Sequence, residues 1–454
     1  MSWSEALTPV RMRRIALVAP ADSLRAVLVR VAATGVVQLD RISDTDTVSG
    51  TPRLSRTEPD LAELTRTGRT ELLAGEHQLR GYLDAAVRRR SVAAVAGWCP
   101  ETELPALTTL LRPLGAAVVP LATPRGIDPP TLLTENRPLR ASFAPLVRIY
   151  GTVPYRDIDP TIPAGLAYVA MFGMMFGDAG HGLLLLAAAL VLRGGWIRRL
   201  TALRRLWVFV ACAGGTATVF GLLYGEFFGP TRVLSVLWLD PIDDPVRLMV
   251  AAVGVGAALL AFAYGIGTVN RWREGGIRAA LYATSGIAGA TTFLGLGTTT
   301  WGVLAHTIGL LIAGATSTVI GLALSVIGMF TESGGGATGI ARSGIGVFDL
   351  VLRIGANLVS FARLAAFGMT HAAIGWVIWQ AATAVAGRGI AGIVLAAAIF
   401  VVGNASAFAL EALVAGIQAL RLEFYELFSR VFEGTGQPFT PWHIPVDESE
   451  HTPC

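Results

Sequence analysis

The chain has 454 residues, 53% of them hydrophobic and only 15% charged, with a formal net charge of +4. Soluble domains carry about a quarter charged residues, so this composition, with a mean hydropathy of +0.57, excludes a wholly soluble protein. A polytopic membrane protein with some soluble mass is expected. Its basic balance would suggest nucleic acid in a soluble chain, but here the arginines flank apolar runs, as loops on the cytoplasmic side of a membrane do. No lysine occurs, so every fixed cation is an arginine, a group that stays protonated. Cys99, Cys212 and Cys454 are odd in number and far apart, which indicates neither a disulfide framework nor a metal cluster.

Residues 1–160 read as a cytoplasmic α/β domain. The opening "MSWSEALTPVRMRRIALVAPADSLR" puts basic residues before an apolar patch. That patch, Ile15 to Ala19, is too short for a signal-peptide core and no good cleavage site follows. "RRIALVAP" and "SLRAVLVRVAATGVVQLD" predict strand, amphipathic helix, strand. "VAAVAGWCPETELPALTTLLRPLGAAVVPLA" repeats that rhythm, so two small α/β lobes are expected. The charged stretch between them, about Glu58 to Arg90, predicts a short helical hairpin. Pro- and Asp-rich "YGTVPYRDIDPTIP" then leads into the membrane.

Apolar blocks fill residues 161–432. A span needs about 20 apolar residues, and candidates lie at roughly 206–228, 247–270, 279–299, 302–330, 345–386 and 390–425. The first block, about 164–192, is interrupted by "GDAGHG". Strongly basic "RGGWIRRLTALRR" after it belongs on the cytoplasmic side. The first block must then enter and return as two short helices meeting at Asp178–His181; a straight single span is the alternative. Alternation of the other six puts acidic "LDPIDDP" outside. "NRWREGGIR", "TESGGGATGIARSG" and the tail 433–454 fall inside, with both termini cytoplasmic. The fold class is therefore mostly α, with about eight membrane helical elements and a small N-terminal α/β domain.

Two blocks carry polar residues at membrane depth. At about 100° per residue, Asp349, Arg353, Asn357, Ser360, Arg363 and His371 fall within a sector of roughly 120° on an otherwise apolar helix. In the last block Asn404, Glu411 and Gln418 recur at intervals of seven, with Arg421 adjacent on the same face. Arg421 sits near a helix end and could simply snorkel; Asp349 and Arg353 could be an ordinary i, i+4 pair. Arg363 is different, because apolar sequence continues for several turns beyond it. A mid-span arginine costs about 2.5–3.5 kcal/mol on insertion scales. Such a guanidinium cannot pass protons on, but it can force a neighbouring carboxylate to release one, and it bars leakage between water-filled clefts on its two sides. Glu411 and His371 suit the clefts. No carboxylate in reach suits the gate itself, so a partner is expected to supply it. A metal at Asp178 and His181 would need more ligands than "GDAGHG" offers, and the reading preferred for the pair is structural capping at the break.

These residues resemble a known family. "MFGMMFGDAGHGLLL", Met171 to Leu185, is close to a signature of the large membrane stator subunit of rotary V-type and A-type ATPases, called subunit a in eukaryotes and subunit I in archaea and bacteria. "GLLYGEFFG" follows at the expected place. "SFARLAAFGMTHA" is similar to the segment bearing the family's essential arginine, and "LEALVAGIQALRLEFYELFSRVFEGTGQPFTPW" to its final helix and tail. "RRIALVAPADSLRAVLVRVAATGVVQLD", "GWCPETEL" and "ENRPLRASFAPLVRIYGTVPYRDIDPT" also fit. There are two departures. The family's cytoplasmic arm is longer, with an extended coiled coil, where about Glu58 to Arg90 stands here. A tryptophan often found soon after the essential arginine is replaced by Ala365.

The resemblance implies two long tilted helices at the carboxyl end and a role in ion translocation. Arg363 would be the essential arginine with Arg421 beside it. Glu411, His371, Gln418 and Asn404 would line a half-channel, and Asp349, Arg353, Asn357 and Ser360 the cytoplasmic approach. The implied partners are a ring of small hydrophobic c/K-type subunits, E/G-type peripheral stalks, a d/C-type central-stalk adaptor, membrane lipid and, indirectly, a soluble ATPase head. Nucleic acid, metal and cofactor are not implied, and no GxxxxGK[ST] phosphate loop is present. A non-catalytic subunit in the plasma membrane of a prokaryotic cell, moving H⁺ or Na⁺, is the expectation. The rivals are a self-contained secondary transporter with a broken-helix site at Gly177–Gly182, and a passive anchor, which Arg363 argues against.

Overall fold

The computed structural model describes residues 8–40, 51–124, 126–134, 137–431, 434 and 436–447. The chain forms two compact units. One comprises residues 9–133, 152–155 and 435–454, the other mainly 134–151 and 156–434.

The first unit is an α/β layer pair. Strand β1 (Met12–Pro20) alternates buried and less buried positions, as one face of a sheet requires. Helix α1 (Leu24–Thr34) follows and stops at left-handed Gly35. Then come β2 (Gln38–Leu39), α2 (Leu61–Arg66), α3 (Thr70–Asp84), β3 (Val87–Arg89), β4 (Val92–Pro100), α4 (Leu104–Leu111) and β5 (Ala117–Pro120). The two lobes expected from the repeated rhythm are a single sheet of order β2-β4-β1-β5, with β3 also on β4. The reason is long-range pairing. β1 and β4 run antiparallel over nine residues, from Met12 opposite Pro100 to Pro20 opposite Val92, so both halves share one core.

The expected separate tail is part of this unit too. The Trp442 N–H donates to the Val37 carbonyl at 2.9 Å and the Ile444 N–H to Ala32 at 3.2 Å. Ile444 is buried, and Trp442 packs on Tyr82 with ring centres 4.9 Å apart. Arg69 pairs with Asp447 at 2.7 Å. Inside the unit, buried Glu76 is held by Arg25 at 2.6 Å; burial pushes the Glu76 carboxyl up, and Arg25 offsets part of that.

The second unit is helical. α5 (Pro138–Tyr150) packs Phe143 edge-on against Phe209. The first apolar block is two helices, α6 (Thr161–Met175) and α7 (Ala179–Gly194). Both lie on α8 (Trp207–Tyr224) in opposite directions. Along α6, Tyr168 meets Phe209 and Gly173 meets Thr216; along α7, Gly182 meets Thr218 and Leu185 meets Gly214. The chain therefore doubles back at Phe176–Asp178. α9 (Pro245–Tyr282) is interrupted by non-helical Gly276. α10 (Ile287–Leu304) and α11 (Ile308–Glu332) form an antiparallel pair, with Gly295 against Thr318 and Gly302 against Leu311.

The long block expected over 345–386 is α12 (Gly336–Ser360) and α13 (Ala362–Ala386), divided at fully buried Phe361. α14 (Gly389–Leu422) runs on into a π-helical turn, Glu423–Phe428. Its 34 residues extend about 50 Å, against about 30 Å of hydrocarbon, so it tilts or projects. Five described helical stretches are long and apolar enough to cross a membrane: Arg198–Tyr224, Pro245–Tyr282, Ile308–Glu332, Gly336–Ala386 and Gly389–Val431. The span expected over 279–299 corresponds to α10, whose threonines at 291, 292 and 298–300 lower its hydropathy. Four of them, Thr292 and Thr298 to Thr300, return their hydroxyls to carbonyls of their own helix.

Candidate functional site

The site begins with a helix cap. Asp178 is extended, and its carboxylate accepts the His181 N–H at 2.8 Å, capping α7. The same carboxylate accepts the N–H groups of Phe228 at 3.0 Å and Gly229 at 2.6 Å. Gly229 has φ +90°, a conformation that favours glycine. The turn after α8 is thereby tied to the break between α6 and α7, and it carries Glu226 inward. Gly221 makes the approach possible: a Cβ there would lie 2.0 Å from the Ala179 nitrogen.

His371 of α13 reaches the same place. Its Nε2 lies 3.8 Å from an Asp178 oxygen and 3.9 Å from a Glu226 oxygen, and its Nδ1 hydrogen-bonds Glu411 of α14. The His181 ring stands edge-on to His371, centres 5.5 Å apart, and its Nδ1 is 3.7 Å from Asp178. Phe176, Phe228 and Phe408 wall in the imidazoles. Asp178, His181, Glu226 and His371 are all buried. Neither Glu226 oxygen has a hydrogen-bond partner, and the His181 ring has only the Asn404 backbone beside it.

A second polar set lies on the same antiparallel helix pair. Arg363 is half-buried and donates to Ser360 at 3.1 Å and to Gln418 at 3.3 Å. Arg421 and Glu426 are near enough for their charges to act on it. Eight residues separate Arg363 from His371, about 12 Å of helix. Intervening Leu364, Ala365 and Gly368 are buried.

The third set continues down α12. With its amide oriented to satisfy both ends, Asn357 donates to the Arg353 carbonyl at 3.0 Å and to Glu426 at 2.9 Å. Asp349 and Arg353 are paired with each other and largely exposed. They line a cavity of about 240 Å³ together with Glu332 and Arg430.

The residues predicted to share one stripe thus serve three places. Ser360 and Arg363 meet Gln418, His371 meets Glu411, and Asp349 and Arg353 open onto a cavity. Arg421 is exposed. Asn404 is buried and turns its amide back to Phe400 of its own helix. Asp178 caps as expected of a break, but it also joins His371, which spacing along either segment alone could not reveal. Glu226, Glu426, Glu332 and Arg430 were missed. For Glu226 the signal was present: an acidic residue inside apolar "GLLYGEFFG", costly unless it has a purpose.

A model of the V-type ATPase 116kDa subunit family matches residues 78–201, the stretch that contains Asp178 and His181. The A-type ATP synthase subunit I of Aeropyrum pernix is 30% identical over 352 residues, 66% of this chain and 49% of that relative. The chain is thus similar to subunits a and I of V-type and A-type ATPases. Subunit I of Pyrococcus horikoshii is 27% identical over 400 residues, 84% of this chain and 58% of its own length. The V-type proton ATPase subunit a of Neurospora crassa is 35% identical over 112 residues, 23% of this chain and 13% of its own. The chain spans about half the length of the archaeal relatives it matches. Among family features, the break at Asp178 lies within the matched region, whereas Arg363 and His371 lie beyond it.

Proposed function

We propose that the chain is the non-catalytic membrane subunit of a rotary V/A-type ATPase, providing two ion half-channels separated by Arg363. The observation that carries this reading is the order of polar groups along α12, α13 and α14. Buried Asp178, Glu226 and His371, with partly exposed Glu411, form a set on one side of Arg363. Asn357, Glu426 and the cavity at Asp349 and Arg353 lie on the other. Between them stands one guanidinium tethered by Ser360 and Gln418.

Each part then has a task. Glu411 and His371, with Asn404 and Gln418 on the same helix pair, line one half-channel, and Asp178 and Glu226 extend it. Asp349, Arg353, Asn357 and Ser360 line the cytoplasmic approach. A ring of small hydrophobic subunits, each with one carboxylate, passes Arg363 and Arg421. The permanent cation makes the arriving carboxylate release its proton or sodium ion, and it prevents direct leakage between the approaches. Peripheral stalks and a central-stalk adaptor complete the complex, in a cell membrane with both termini cytoplasmic, and other subunits handle ATP. A transporter working alone at Gly177–Gly182 would need an open substrate cavity there. That segment is buried and walled by Phe228 and Tyr224.

Replacing the cation tests the reading. Arg363→Ala in the reconstituted complex is expected to abolish ATP-driven ion pumping; pumping at the wild-type rate would sink the gate assignment.

A further inference from the structure

We propose that Asp178, His181, Glu226 and His371 form a four-ligand site for a divalent transition-metal cation of the Zn²⁺ class, with Glu411 orienting His371. The ligand atoms of Asp178, His181 and His371 all lie within 4.8 Å of one another. The measured separations are 3.7 Å for His181–Asp178, 3.8 Å for His371–Asp178 and 3.9 Å for His371–Glu226. Zinc–ligand bonds of about 2.1 Å in a tetrahedron place ligand atoms about 3.4 Å apart. Those three separations lie within about half an ångström of that spacing. The other pairs among Asp178, His181 and His371 start from no more than 4.8 Å, so side-chain rotation is what would bring the ligand atoms, Glu226 included, onto one ion.

Three further features point to a cation. First, His181 and Glu226 are each 2% exposed; neither Glu226 oxygen has a hydrogen-bond partner, and the His181 ring has only the Asn404 backbone close by. Burying such atoms unsatisfied costs free energy, and coordination satisfies an imidazole lone pair and a carboxylate oxygen together. Second, His371 gives Nδ1 to Glu411, which leaves the Nε2 lone pair facing Asp178 and Glu226. A carboxylate behind a ligating histidine is the usual second support of a zinc ligand. Third, the four ligands, two carboxylates with two neutral imidazoles, balance the charge of one dication, and the Glu411 carboxylate behind His371 adds a further negative charge that also favours a cation. Imidazole nitrogens favour Zn²⁺ over Mg²⁺ or Ca²⁺, which take oxygen ligands. Asp178 already accepts three backbone N–H groups, yet two carboxylate oxygens offer about four lone-pair positions, so one remains.

Binding itself requires nothing of the half-channel reading; only its effect on transport does. If protons use His371 and Glu411, a bound dication occupies lone pairs that they need and arrests translocation.

The intact complex, purified without a histidine tag, is titrated with Co²⁺ and then Zn²⁺. One equivalent of Co²⁺ per chain with the intense visible bands of tetrahedral coordination is expected, displaced by Zn²⁺. Zinc-edge X-ray absorption is expected to find two imidazoles and no sulfur. Glu411→Gln should weaken Zn²⁺ binding by about 10- to 100-fold, and His181→Gln and Glu226→Gln by at least as much. No stoichiometric uptake by the unmodified complex, octahedral cobalt, or affinity indifferent to both His181→Gln and Glu226→Gln would each overturn the site. Pumping is then measured with and without Zn²⁺. Stoichiometric binding that slows pumping supports both readings, whereas binding that leaves pumping untouched keeps the metal site and strikes the half-channel.

Discussion

Asp157 is fully buried between the linker and α9, beside Glu274, which Arg271 holds at 2.6 Å. Burial first, and then the adjacent Glu274 carboxylate, push the Asp157 carboxyl up to about 8, against the pull of Arg271 and Arg273. Unfolded, it titrates near its ordinary 3.8. Its folded value is the higher one, so its contribution to stability is complete below the unfolded value and is lost as pH rises through about 8. The thermal midpoint of the protein in detergent should therefore fall as pH rises from about 4 to about 8 and level off above that. Asp157→Asn, which keeps the shape and never ionises, should flatten that fall; an unchanged profile would show that Asp157 does not lose its proton in that range. At the same scale Arg363 is the opposite kind of group. It keeps its proton at every pH the cell offers, so its effect is fixed by position alone.

At the scale of elements, the decisive contacts are backbone against backbone. Gly221 lets α8 meet the turn at Asp178, and an added Cβ would lie 2.0 Å from the Ala179 nitrogen and 2.4 Å from the Asp178 carbonyl carbon. Neither atom can move without disturbing the cap that holds Phe228 and Gly229. Gly221→Ala should cost about 1–3 kcal/mol, read as a lower unfolding temperature; a variant as stable as the parent would mean that the helices have room to separate. The break between α6 and α7 was legible because glycines and two ionisable residues interrupt an apolar run. The division at Phe361 was not, since an apolar aromatic residue carries no breaking signal in a membrane helix. The single sheet was equally hidden, because strands about 80 residues apart can pair or remain separate with identical local patterns. For the candidate site, periodicity put Asp349 to His371 on one stripe, whereas the division at Phe361 spreads them over two helices and three places. It could not say that Glu226 and Asp178 come to His371 from two other elements, because that is tertiary information.

At the scale of the whole molecule, the α/β unit takes part of its core from the far end of the chain. Trp442 and Ile444 are buried in it, and Leu54 and Val446 form a parallel bridge. Trp442→Ala should cost about 3–5 kcal/mol. Deletion beyond residue 434 should open residues 9–133 to protease attack that the full chain resists; equal resistance would mean that the segment merely decorates a finished core. The order of synthesis gives this arrangement a consequence. The sheet residues leave the ribosome before the strand-like segment that closes their core, with the apolar helices α6 to α14 delivered in between. A chain stalled during insertion therefore keeps an unsealed apolar surface, which chaperones and proteases can recognise.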